Sequence, residues 1–140
     1  VQPLLTAIDG TQFGVAICYE DAYAAEQAYA LPDAGVLINV SNDAWFGDSI
    51  APHQHLEIAR MRSLEFGRPT VRSTNTGISA FIGPDGRLLQ TGDQFVPERM
   101  TMDVQPRRGA TPYAAGGNWP IIGLCLAILG MFWIRNRASL

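Results

Sequence analysis

The sequence predicts an α/β fold followed by a single membrane-crossing helix, and three features carry that prediction. Two short, largely apolar runs, ending at Cys18 and Val40, each open into polar residues, as buried strands do when they end at a polar rim. A long stretch with helical periodicity, 52–66, follows them. Sixteen consecutive residues, Trp119 to Ile134, then carry no charge.

In the first run, Phe13-Gly14-Val15-Ala16-Ile17-Cys18 is closed by Tyr19-Glu20-Asp21, so Cys18 is expected at the rim of a strand. Residues 22–31 are rich in Ala, Glu and Gln and stop before Pro32, which suits a short helix. The run Gly35 to Val40 predicts a second buried strand. It opens into Ser41-Asn42-Asp43 and then Ala44-Trp45-Phe46-Gly47, close to the end of the first strand.

After Pro52 no proline or glycine occurs until Gly67, and Leu56, Ala59, Ser63 and Leu64 share one helical face that Glu57, Arg60 and Glu65 largely avoid. A helix of about four turns is expected, stopping at Gly67-Arg68-Pro69. Thr70 to Ser73 follows, and Ile78 to Ile82 is joined through Gly83-Pro84-Asp85-Gly86 to Arg87 to Gln90, a hairpin pattern. Arg99 to Val104 alternates weakly and reads as a last strand.

Residues 1–105 are thus expected to form the catalytic part, 106–118 an irregular connector rich in Gly and Pro, 119–134 a transmembrane helix and 135–140 a tail. Sixteen helical residues span roughly 24 Å, a little short of the hydrocarbon core. Trp119 and Trp133 near the ends resemble interfacial anchors, and Arg135 with Arg137 stops the apolar run. Arg107 and Arg108 balance those arginines, and proximity alone favours a cytoplasmic tail.

The 140 residues are 47% hydrophobic and 16% charged, enough for a packed core. A net charge of −3 with no run of five like charges excludes a nucleic-acid surface and points to small molecules or lipid. The chain opens at Val1 and reaches its first motif-bearing strand within twenty residues, so it reads as a fragment. Cys18 and Cys125 lie in segments of different character, which predicts no disulfide framework. Cys125, among leucines and isoleucines, reads as a small apolar side chain. His53 and His55 diverge on a helix, and no metal site or cofactor is expected.

A thiol at a strand end is held by the sheet and open on one side, as a nucleophile must be, although a small buried hydrophobe is the commoner fate of a lone cysteine. What favours chemistry is the company. Cys-Tyr-Glu at 18–20, Ser-Asn-Asp-Ala-Trp-Phe-Gly at 41–47 and Arg-Ser-Thr-Asn-Thr-Gly-Ile-Ser-Ala at 72–80 resemble the C-terminal half of the nitrilase, or carbon–nitrogen hydrolase, superfamily. Pro52 with Gln54-His55, Ala59-Arg60-Met61-Arg62, Thr111-Pro112-Tyr113 and Gly117-Asn118-Trp119-Pro120 extend the resemblance to its apolipoprotein N-acyltransferase branch.

That resemblance implies the C-terminal part of an αββα sandwich fused to a membrane bundle in the bacterial inner membrane, with the catalytic domain on the periplasmic side. It implies acyl transfer from a phospholipid donor, through a cysteine thioester, to the N-terminal diacylglyceryl cysteine of a lipoprotein acceptor. The family's catalytic set is a glutamate base, a lysine and a cysteine. Only the cysteine, carried onto Cys18, is matched, and the sequence contains no lysine, so this piece is expected to be inactive by itself. A free thiol ionises near pH 8.5, and it needs a base and a nearby cation to react.

The resemblance implies that the backbone N–H of Tyr19 joins the oxyanion site. Glu20 either orients the site or is a solvated strand-end carboxylate. Trp45 and Phe46 either line the acyl-chain entrance or pack in the core. Asn42, Asp43, Arg72 and Asn75 are expected to shape the substrate pocket by hydrogen bonding rather than to react. The alternative functions are a nitrilase-type amidase acting on a small soluble amide, which the apolar tail opposes, and a non-catalytic membrane-anchored interaction module.

Overall fold

The computed structural model describes residues 4–137. One six-stranded sheet organises the chain: β1 (Leu5–Thr6), β2 (Gln12–Ile17), β3 (Val36–Ser41), β4 (Thr70–Thr74), β5 (Ala80–Ile82) and β6 (Leu88–Thr91), in that spatial order. β2, β3 and β4 run parallel, with Ile17 opposite Val40 and Val40 opposite Ser73, so the ends of all three strands meet along one rim. β1 and the β5–β6 hairpin pair antiparallel at the two sides.

Parallel strands need crossovers, and the two crossovers here supply the helices. Between β2 and β3 the chain makes a 3₁₀ turn at Cys18–Ala22, α1 (Ala24–Gln27) and a second 3₁₀ turn at Ala28–Ala30, in place of the continuous helix expected over 22–31. Tyr23, φ −98° and ψ 82°, breaks the helical path. Between β3 and β4 lies α2 (Ala51–Phe66), which Gly67 ends in the left-handed conformation that lets Arg68 bond back to the Ser63 carbonyl.

Alternation along the strands divides the sheet into two faces. Gly14, Ala16, Leu37, Asn39, Thr70, Arg72, Ala80 and Ile82 share the face covered by helices, and all are buried. Leu56 and Ala59 of α2 pack there against Ile78, Ala80 and Ile82, each large apolar side chain contributing about 1.5–3 kcal/mol. Gly14 has no Cβ because Ala30 would stand 2.9 Å from it. Phe13, Val15, Ile17, Ile38, Val40, Val71 and Phe81 lie on the other face, apolar yet only partly covered. That is one α/β layer, with the apolar surface that a second sheet covers in a sandwich.

Two further expectations change. Arg99 to Val104 forms no strand, because no strand of the sheet pairs with it. Leu64 is exposed and Phe66 is buried instead, since Phe66 continues the helical stripe of Pro52, His55, Leu56, Ala59 and Ser63 and Leu64 falls off it. The stretch 106–111 is irregular but not loose. Arg107 N donates to the Gly35 carbonyl, and Arg68 donates to the carbonyls of Ala34 (2.6 Å), Phe66 (3.3 Å), Pro32 (3.2 Å) and Gly109 (2.6 Å). Thr111 Oγ1 bonds the Glu65 carbonyl, and α3 (Pro112–Gly116) follows.

α4 (Trp119–Arg137) is 19 residues long, carries none of its side chains into the protein and is long and apolar enough to cross a membrane. Arg137 stacks 4.1 Å from the Trp133 ring, joining cation to aromatic at its end. The rest of the tail, 138–140, lies outside the described residues.

Candidate active site

Cys18 is the first residue after β2, at the rim where β2, β3 and β4 end. Its φ is +53°, a left-handed conformation that costs an L-residue about 1–2 kcal/mol unless its surroundings enforce it. The chain leaves the strand in a sharp elbow, and the thiol is half-buried. Glu20 tightens the elbow, its carboxylate accepting from Ile17 N at 2.7 Å. The glutamate is therefore bonded into the turn rather than simply solvated.

The elbow is enforced from below through the Cys18 carbonyl. Asn39 Nδ2 donates to it at 3.1 Å, reaching across from β3, and His55 Nε2 lies 3.2 Å from it, reaching up from α2. The His55 ring also bridges two carboxylates: Nε2 is 3.1 Å from Asp21 Oδ1 and Nδ1 is 3.0 Å from Asp43 Oδ1. Arg72, from β4, donates to Asp43 Oδ2 at 2.9 Å and to Asn39 Oδ1, and stands 3.5 Å from Asp21 Oδ2. Asp21, Asn39, Asp43, His55 and Arg72 are each 3% exposed or less.

These charges set one another. Burial alone lowers the pKa of His55, and Arg72 adds to that. The hydrogen bond to Asp21 and the charges of Asp21 and Asp43 act the other way, and the net pKa lies above the ordinary imidazole value. Arg72 is lowered chiefly by burial, with Asp43, Asp21 and Cys18 opposing.

The turn after β3 is tied to the turn after β4. Asn75 Oδ1 accepts from Asp43 N at 3.1 Å, and Asn75 Nδ2 donates to Asn42 Oδ1 at 2.7 Å. Asn42 also accepts from Ala44 N, capping the 3₁₀ turn Asp43–Phe46. Gly77 leaves room for the Asp43 carboxylate, because a Cβ there would stand 2.1 Å from Oδ2.

Every site residue named from the sequence lies along this rim, in unequal settings. Tyr19 points its ring outward against Tyr23. Trp45 is 87% exposed, while Phe46 sits edge-on to the His55 ring at 6.3 Å. Asp43 and Arg72 belong to the buried charge cluster rather than to a pocket wall, whereas Asn42 and Asn75 stay at the surface. Sequence reasoning missed Asp21, Asn39 and His55. His55 was set aside as half of a failed metal pair, although Pro52, His55, Leu56, Ala59, Ser63 and Phe66 share the buried helical face.

The carbon-nitrogen hydrolase family matches residues 3–113. A protein of Methylococcus capsulatus named apolipoprotein N-acyltransferase is 49% identical over 138 residues, covering 99% of this chain and 27% of that protein. One so named from Haemophilus influenzae is 46% identical over 145 residues, covering 100% of this chain and 28% of that protein. This chain thus spans little more than a quarter of these curated relatives. Among solved structures, a glutamine variant of the amidase from Nesterenkonia sp. AN1, with acrylamide added at its active site cysteine, superposes with a TM-score of 0.53 at 19% identity, over 94% of this chain and 48% of that one. A carbon-nitrogen hydrolase from Helicobacter pylori superposes with a TM-score of 0.51 at 17% identity, over 60% of this chain and 37% of that one. At these identities the structures share the fold.

Proposed function

The chain belongs to the carbon-nitrogen hydrolase family, and from that membership we propose that Cys18 is the acyl-carrying thiol of an apolipoprotein N-acyltransferase. Two things support the reading. Relatives bearing that name match nearly the whole of this chain, and one chain joins a thiol on a strand-end elbow to an exposed apolar helix of 19 residues. The second observation carries most weight, because a thiol acting on lipid has to be held at a membrane.

In this reading the Cys18 thiolate attacks the ester carbonyl of a phospholipid. A carbon–sulfur bond forms, the ester carbon–oxygen bond breaks, and the lysophospholipid leaves with a proton. The α-amine of a lipoprotein's N-terminal diacylglyceryl cysteine then attacks the thioester. An amide forms, the amine gives up a proton and the thiol is restored. The Tyr19 N–H, next to the nucleophile, stabilises the oxyanion of both steps. In this reading the glutamate base and the lysine come from outside these 140 residues, which contain no lysine and are inactive alone.

Trp45 and Phe46 stand at the entrance for the acyl chain, and Asn42, Asp43, Arg72 and Asn75 shape the rim around it. Residues 1–105 form the catalytic unit on the periplasmic side of the inner membrane, and 106–118 are the connector. Segment 119–134 crosses the bilayer, and 135–140 is the cytoplasmic tail.

The test is mass spectrometry of the full-length enzyme after exposure to phospholipid without acceptor. The peptide containing Cys18 gains the mass of an acyl group, and addition of a diacylglyceryl peptide removes it. Turnover with Cys18 never modified would sink the proposal, and hydrolysis of small soluble amides instead would favour an amidase.

A further inference from the structure

The buried cluster beneath the elbow contains a histidine whose two ring nitrogens both face oxygen acceptors. Nδ1 faces the Asp43 carboxylate, and Nε2 faces the Asp21 carboxylate and the Cys18 carbonyl, at 3.0, 3.1 and 3.2 Å. A neutral imidazole has one N–H and would turn a lone pair toward one of these carboxylates. Arg72 lies within 3.5 Å of both carboxylates. With the ring charged, two cations and two anions balance within a space closed to solvent.

We propose that His55 is a buried imidazolium that positions the nucleophile: it pins the Cys18 carbonyl to the Asp21 and Asp43 carboxylates and thereby fixes the direction of the Cys18 thiol and of the Tyr19 N–H. The carbonyl it holds belongs to the same peptide group as that N–H, so turning one turns the other. A left-handed φ at a non-glycine residue persists only where neighbours over-determine it, and both Asn39 and His55 grip this peptide. Burial lowers the pKa of His55, and the two carboxylates outweigh it, so the net shift is upward. The groups facing the ring are Tyr19, Asp21 and the Cys18 carbonyl from the elbow, Asp43 and Phe46 from the turn after β3, and Arg72 joined to both carboxylates from β4.

The positioning role rests on Cys18 being the reacting thiol, and the charged state of His55 does not. In full-length protein labelled with ¹⁵N-histidine, with His55 assigned by its loss in His55→Gln, both ring nitrogens are protonated at pH 7 and titrate above the ordinary value of 6.5. A neutral ring at pH 7 overturns the proposal whatever the enzyme does.

The second arm uses two variants. His55→Gln keeps a donor where Nε2 stood, toward Cys18, and His55→Asn keeps one where Nδ1 stood, toward Asp43. Acyl transfer and alkylation of Cys18 by iodoacetamide, read by peptide mass against Cys125, fall by up to about 100-fold in His55→Asn, with KM unchanged, and by much less in His55→Gln. Equal losses in both variants, or none, overturn the positioning role. Absence of acyl transfer in the unaltered protein defeats the proposed function instead and leaves the alkylation comparison standing.

Discussion

Arg72 Nη2 donates to Asp43 Oδ2 at 2.9 Å with neither side chain reaching solvent, so strand β4 is ion-paired, beneath the Cys18 elbow, to the turn that leaves β3. Such a pair is no stronger than good apolar packing, but removing one member strands the other. Arg72→Met is expected to lower unfolding stability by about 3–5 kcal/mol, as read by urea denaturation. Arg72→Met with Asp43→Asn recovers part of that loss. A single variant as stable as the parent would show that the carboxylates have other partners.

The positive φ of Cys18 predicts that stability and chemistry oppose each other at this position. Glycine adopts the conformation freely and alanine does not, so Cys18→Gly should be more stable than Cys18→Ala by about 0.5–1 kcal/mol. Both lose acyl transfer. Equal denaturation midpoints would mean that the elbow is relaxed in solution.

Gly77 is predicted to be irreplaceable for a reason of space. Alanine there drives its Cβ into the Asp43 carboxylate, and Gly77→Ala should lose about 1–3 kcal/mol while slowing alkylation of Cys18. The two effects should appear together, because Asp43 touches both Arg72 and His55. Loss of stability with Cys18 reactivity untouched would contradict the coupling.

The pKa of His55 is raised in the fold, so its contribution to stability is complete below its unfolded value and is lost as pH rises through the folded one. The stability gap between the parent and His55→Gln, followed by denaturation from about pH 5 to about pH 9, should therefore be widest at the acid end and narrow as pH rises. A gap that is constant or that widens with pH has the wrong sign for a group charged in the fold.

Arg68 joins the connector to the sheet through carbonyls of three segments, Pro32 and Ala34, Phe66, and Gly109. Arg68→Met leaves these acceptors unpaired, at a cost of at least about 2 kcal/mol. Hydrogen exchange at residues 107–111 should accelerate before the rest of the sheet does. Unchanged protection there would place the hold elsewhere, in Thr111 or in the Arg107 to Gly35 bond.

By itself the sequence determined whatever depends on neighbours along the chain. Apolar runs of strand length gave β2 and β3, helical spacing and a glycine stop gave α2, and a charge-free run gave α4, because periodicity and turn chemistry act within a few residues. Those signals also placed Cys18 at a strand end. They failed where the tertiary environment overrides local preference: Arg99 to Val104 finds no strand to pair with, and 22–31 breaks at Tyr23 into short turns as it crosses from β2 to β3. Only the tertiary structure decided what lies under the thiol. Asp21, Asn39, Asp43, His55 and Arg72 come from five separate elements and carry no shared spacing. They meet because three parallel strands end at one rim and α2 crosses beneath it, and a buried charge must find its counter-charge wherever the fold brings one.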